Sequence, residues 1–160
     1  AFTLWRPLID ERLAAKSVVA QANVESRQAY WSAALRMAAD HPVLGVGPGR
    51  FGIESREYIL NDPINITNPV AHNAYLEVLA EGGLPTLIAF VAFLAGSWRL
   101  TVRARNRMRA REDADGLRLV AAVQAALVAS VVAANFLSVQ VTVPMWLLGG
   151  IAAVLAFERR

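Results

Sequence analysis

The sequence predicts an all-α, polytopic membrane fold: an external helical region followed by three spanning helices. Three observations carry that expectation. Hydrophobic residues make up 56% of the 160 residues and charged residues only 18%, against roughly 45–50% and about 25% in ordinary globular chains. The apolar residues concentrate after Gly83. The half before Gly83 has no apolar run of spanning length and shows helical periodicity instead.

The external region, residues 1–83, opens with an amphipathic helix that sets Leu4, Leu8, Ile9 and Leu13 on one side. A second helix follows in "SRQAYWSAALRMAAD". There Trp31, Ala34, Leu35 and Ala38 recur at the spacing of one helical face, with Arg27 one turn earlier on the same face. Pro42 stops this helix, because the residue before a proline is pushed out of helical geometry. The stretch "PVLGVGPGRFG", Pro42 to Gly52, lacks the Gly-Lys-Ser/Thr ending of a phosphate loop and has Arg50 where a G-x-G-x-x-G pattern needs glycine. It reads as a tight external turn, whose amides and Arg50 could also border a site for an anionic ligand. Asn61 to Asn73, with Pro63 and Pro69, is a loop of turn formers. "HNAYLEVLAEGG" then starts a helix near His72 that Gly82 or Gly83 closes.

The membrane region, residues 84–160, holds spans at 84–98, 119–139 and 141–157. Pro85 suits the first turn of the first span. The first and third are short for a hydrocarbon core that takes about 20 residues. The connecting stretch 99–118 carries Arg99, Arg103, Arg105, Arg107, Arg109, Arg111 and Arg118 against three acids. An arginine-rich loop between spans marks the cytoplasmic side, and Arg159 and Arg160 agree. Residues 1–83 then lie outside the inner (cytoplasmic) membrane, periplasmic in a Gram-negative cell and extracellular otherwise. Without an initiator Met or a signal-peptide pattern, the chain reads as part of a longer protein.

The absence of cysteine removes disulfides, thiolate nucleophiles and Cys-ligated zinc. His41 and His72 are far apart, no H-x-x-H or H-E-x-x-H pattern occurs, and no metal or other cofactor is expected. The sequence pI near 9.9 does not indicate a nucleic-acid partner, since no aromatics interleave the arginines between the spans. His72 is the main candidate for chemistry. A histidine in the first turn of a helix meets the positive end of the macrodipole, which favours the neutral ring. That is the form a general base requires. The alternative is a histidine that caps or packs at the membrane interface.

The ordered motifs R-x-x-x-W (Arg27, Trp31), D-H-P-x-x-G-x-G-P-G-x-F (Asp40 to Phe51) and H-N-x-Y-L-x-x-L-x-E-x-G (from His72) resemble the large periplasmic loop and following helix of the O-antigen ligase family. The resemblance covers Glu25 to about Leu94. It implies a GT-C-like, inverting, metal-independent glycosyltransferase embedded among membrane lipids. The donor it implies is a glycan on a polyprenyl diphosphate, and the acceptor a hydroxyl such as that of lipid A–core. His72 and Arg27 match the family's catalytic histidine and arginine. Arg50, Asn73 and Tyr75 fall in the matching motifs as expected substrate-binding residues, and a further family arginine is expected upstream. O-antigen polymerases and protein O-oligosaccharyltransferases share these motifs, and the acceptor distinguishes them. A non-catalytic, transporter-like relative is the reading from another class.

Overall fold

The computed structural model of the chain describes residues 6–59, 70–138 and 143–157, and for 6–15 and 17–23 the backbone alone. The described residues are all-helical: α1 Arg6–Asp40, α2 Phe51–Tyr58, α3 Ala74–Ala110, α4 Ala114–Ala133 and α5 Val143–Phe157. The side chains of Leu4, Leu8, Ile9 and Leu13, the loop through Pro63 and Pro69, residues 139–142 ahead of α5, and Arg159 and Arg160 lie outside this description.

A single helix, α1, stands where the sequence suggests two, and it ends at Asp40, just before Pro42. Its buried face is Tyr30, Ala33, Ala34, Met37 and Ala38, whereas Leu35 is 54% exposed. The expected face is therefore rotated. In so alanine-rich a run two adjacent stripes satisfy helical spacing. Contact with Phe51, Ala71 and Ala80 selects the one through Tyr30 and Met37.

Gly83, at φ 71 and ψ −175, breaks α3. Glycine reaches that region without the clash a Cβ brings. The rings of Tyr75 and Phe90 lie 5.8 Å apart, although a straight helix would separate these residues by about 22 Å. The first leg (74–82) therefore folds back against the second (84–110). Ala74 and Val78 cluster with Phe90, Ala134 and Met145, which lays the first leg across the end of α4 and the start of α5.

The second leg does not give way to a loop after Trp98. Arginine and alanine are strong helix formers, and arginine stems can lie along a helix with the charge in water. The arginine run thus ends the apolar stripe without ending the helix. From Leu84 to Val102 the leg measures about 28 Å, close to the roughly 30 Å of hydrocarbon. The turn to α4 is only Arg111–Asp113, where the Asp113 carboxylate accepts the Gly116 N–H at 2.8 Å and caps α4. α4 consequently starts before Leu119 and closes at Ala133, and Asn135 lies beyond its end. The Asn135 side-chain amide donates to the carbonyls of Val131 and Val132 at 3.2 and 3.3 Å.

Polar contacts tie the bundle. Gln124 on α4 donates to the Thr101 hydroxyl on α3 at 3.1 Å. Arg107 donates to the Ala156 carbonyl at 3.0 Å, and Arg103 stacks over the Phe157 ring at 4.8 Å. Cations at the carboxyl end of α5 complement its dipole, and they place the ends of α3 and α5 on one face. Both α3 and α4 are long and apolar enough to cross a membrane, and α5 is a shorter apolar helix.

Candidate functional site

A small core of Tyr30, Ala34, Met37, Phe51, Ala71 and Ala80 holds α1 against the first leg of α3. At its edge the Trp31 indole N–H donates to the Ala71 carbonyl at 2.9 Å. Arg27, half-buried, precedes Trp31 by four residues, about 6 Å along the axis of α1. Ala71 is fully buried, and its neighbour His72 is exposed. One hydrogen bond thus ties the turn of α1 that follows Arg27 to the residue that precedes His72.

The backbone around His72 is pinned residue by residue. Asn73 is the N-cap of α3, its side-chain oxygen accepting the N–H groups of Tyr75 and Leu76 at 3.1 Å. The Ala74 N–H donates to the Ala134 carbonyl at 2.8 Å. The Tyr75 hydroxyl donates to the Val131 carbonyl at 3.0 Å. Between these ties His72 sits at φ 49, a conformation that only Glu112 shares among the described non-glycine residues. It stands just ahead of the first turn of α3, not within it. A left-handed non-glycine residue costs roughly 1–2 kcal/mol, so the surrounding bonds must hold it there.

The glycine-rich loop proves to be a clamp on the Gly83 break. A helix end leaves its last carbonyls without intrahelical donors, and here the loop supplies them. Val46 N–H donates to the Ala80 carbonyl at 2.9 Å and Gly47 N–H to the Glu81 carbonyl at 3.0 Å. In return Leu84 N–H donates to the Pro42 carbonyl at 2.8 Å. Gly45, at φ 63, lies so close to the backbone of Glu81 and Gly82 that a Cβ would overlap it.

The Glu81 carboxylate turns the other way and accepts the N–H groups of Gly49 and Phe51, both at 2.9 Å. The loop amides expected to border an anionic ligand are therefore occupied from within, by Glu81. Arg50 pairs with Glu54 at 2.6 Å on the exposed surface of α2. At the other end of α2, Arg36 donates to the Tyr58 carbonyl at 2.9 Å. The Tyr58 hydroxyl bonds Asp40, which raises its pKa above the usual tyrosine value.

Of the expected site residues, Arg27 lies one helical turn before Trp31 and His72 directly follows Ala71, the two residues joined by the indole bond. Asn73 and Tyr75 hold the backbone beside His72, and Arg50 lies on the clamp. Glu81 escaped the sequence, because nothing in "AEGG" reveals that its partners lie some thirty residues upstream. So did Glu77, a carboxylate buried one turn into α3. A buried acid is costly and for that reason informative, but its position in "NAYLEVL" marks it only as a polar residue.

A family model described as O-antigen ligase matches residues 3–91. The match takes in α1, the clamp, α2, the His72 corner and the opening of the second leg. No curated protein and no solved structure matches the chain. With more than half of its length matched, and with both Arg27 and His72 inside the match, the chain belongs to the O-antigen ligase family.

Proposed function

We propose that the chain forms part of a glycosyltransferase that moves a glycan from a polyprenyl diphosphate to a hydroxyl acceptor, lipid A–core being the acceptor the family points to. The reaction is metal-independent and inverting. The acceptor oxygen attacks the anomeric carbon, and its proton passes to the His72 imidazole. The bond from that carbon to the diphosphate oxygen breaks, and the leaving diphosphate carries the departing charge against Arg27. Arginine suits this task because its planar fork donates two hydrogen bonds to phosphate and keeps its proton.

The observation that carries the reading is the Trp31–Ala71 hydrogen bond, which sets the motif containing Arg27 against the motif containing His72. A lipid-linked donor is supported further by an apolar groove of about 440 Å³ between α3 and α4, lined by Val91, Leu94, Trp98, Leu127 and Val131 and reaching Tyr75. On this reading residues 1–83 face the periplasm, and the arginine-bearing end of α3 with the adjoining end of α5 faces the cytoplasm. The test is transfer from a carrier-linked glycan by the purified full-length protein, offered lipid A–core, free carrier-linked repeat and a protein acceptor in parallel. Transfer to lipid A–core alone agrees with the proposal. Transfer to another acceptor only removes the ligase assignment, and absence of any transfer removes the enzyme.

A further inference from the structure

One stripe of α3 is apolar and exposed from end to end: Leu84, Ile88, Val91, Trp98 and Val102 follow one another at helical spacing. On a helix long and apolar enough to cross a membrane, such a stripe suits the side turned to acyl chains. The stripe does not stop where α3 begins its second leg. Leu84 is bonded to the Pro42 carbonyl, and next to Pro42 stand Val43, 63% exposed, and Leu44, 82% exposed. Val43, Leu44 and Pro48 face Val78, Pro85 and Thr86 across a groove of about 530 Å³ whose walls are mainly apolar.

Non-helical backbone enters an apolar medium only when its own polar groups are satisfied. The inner side of the elbow from Pro42 to Pro48 meets that demand, whereas the amides of Val43 and Leu44 donate to no backbone carbonyl and call for the hydrated headgroup boundary. Gly45, Val46 and Gly47 donate to the carbonyls of His41, Ala80 and Glu81, and Pro42 accepts from Leu84. Glu81, the charged residue in the groove, turns its carboxylate away to Gly49 and Phe51. What remains on the outside is Val43, Leu44 and Pro48.

We propose that this elbow is an interfacial anchor, seated at the boundary of phospholipid headgroups and acyl chains in the leaflet that Leu84 enters, with the Val43 and Leu44 side chains turned to the acyl chains. Its continuity with the lipid-facing stripe of α3 identifies the occupant as bilayer rather than soluble protein. The anchor sets the height of the Gly83 break above the membrane. The first leg and the His72 corner inherit that height. The inference needs the membrane but not glycan transfer.

The chain contains no cysteine, so single nitroxide labels can be placed through Leu44→Cys, Ile88→Cys and Glu57→Cys on the protein in phospholipid nanodiscs. Collision with oxygen, which partitions into lipid, is compared with collision with a water-soluble nickel chelate. Leu44 should resemble Ile88, with an oxygen-to-nickel ratio several-fold above that of Glu57. A label at position 44 that reads like the one at 57, while 88 reads as lipid, places the elbow in water and overturns the anchor. A label at 44 that neither reagent reaches shows a protein cover and overturns it equally. Failure of position 88 to read as lipid would remove the membrane-facing stripe itself.

Discussion

The Trp31 indole and the Ala71 carbonyl meet at 2.9 Å, and that bond turns two motifs forty residues apart into one structure. Trp31→Phe keeps the ring and removes the donor. The carbonyl of a fully buried residue is then left unpaired, a loss of roughly 1–3 kcal/mol. The variant should lose that much stability in a denaturant titration, and transfer should fall more than tenfold as Arg27 and His72 lose their fixed relation. Normal turnover in a destabilised Trp31→Phe protein would show that the bond serves the fold alone.

Arg27 separates charge from shape. If it grips a diphosphate with two parallel hydrogen bonds, Arg27→Lys keeps the charge and loses the fork. Transfer should drop at least tenfold in the lysine variant and further in Arg27→Ala, with membrane insertion unchanged. The carrier affinity, measured alone, should weaken in the same order. A lysine variant with wild-type rate and affinity would reduce Arg27 to a surface residue of α1.

Glu81 can be tested without any substrate. In Glu81→Ala both the Gly49 and the Phe51 N–H lose their acceptor, and hydrogen bonds to charged groups contribute roughly 1.5–3 kcal/mol each. Exchange of those two amides, protected in the wild type, should accelerate by one to two orders of magnitude. Glu81→Gln retains one acceptor and should fall between. Unchanged protection at both amides in the alanine variant would mean that the clamp stands on its backbone bonds.

The sequence was most legible where single residues impose local geometry. Pro42 ends α1 and Gly83 breaks α3 for reasons that a proline ring and a missing Cβ contain in themselves. It was least legible where partners are distant. Whether Leu35 or Met37 faces inward depends on Ala71 and Ala80, which periodicity within α1 cannot see. The arginines after Trp98 read as a loop because they lie between two apolar spans, although arginine is a good helix former. The loop amides looked open to an outside anion because Glu81 lies on another element. Arg27 and His72 were readable as residue types in motifs. The indole bond that brings their motifs together was not.

The proposed topology puts the arginine-bearing end of α3 in the cytoplasm. Glu57 on α2 and Asn106 near the end of α3 are both exposed, and neither has a competing cysteine. With Glu57→Cys and Asn106→Cys, an impermeant thiol reagent added to intact spheroplasts should label position 57 at once and position 106 only after lysis. The opposite pattern would invert the protein and put Arg27 and His72 on the cytoplasmic side, away from a periplasmic acceptor.

The backbone of His72 supplies a way to tell a base from a cap. At φ 49 the residue is strained as histidine and relaxed as glycine, whereas glycine adds entropy to the unfolded chain; the two effects are each about 1 kcal/mol and opposite in sign. His72→Gly should therefore fold with stability close to wild type. If His72 served only to shape the corner, the glycine variant would keep its activity. As a general base, by contrast, it contributes about 10²–10⁴-fold in rate, and His72→Gly should lose that factor while still binding carrier. His72→Gln should fail as well, since an amide can form hydrogen bonds but cannot take the acceptor's proton. Free imidazole offers a further check: it should restore part of the turnover of His72→Gly and leave the wild type unaffected. Near-normal transfer by the glycine or glutamine variant would make His72 structural and send the search for the base to another residue of the same corner.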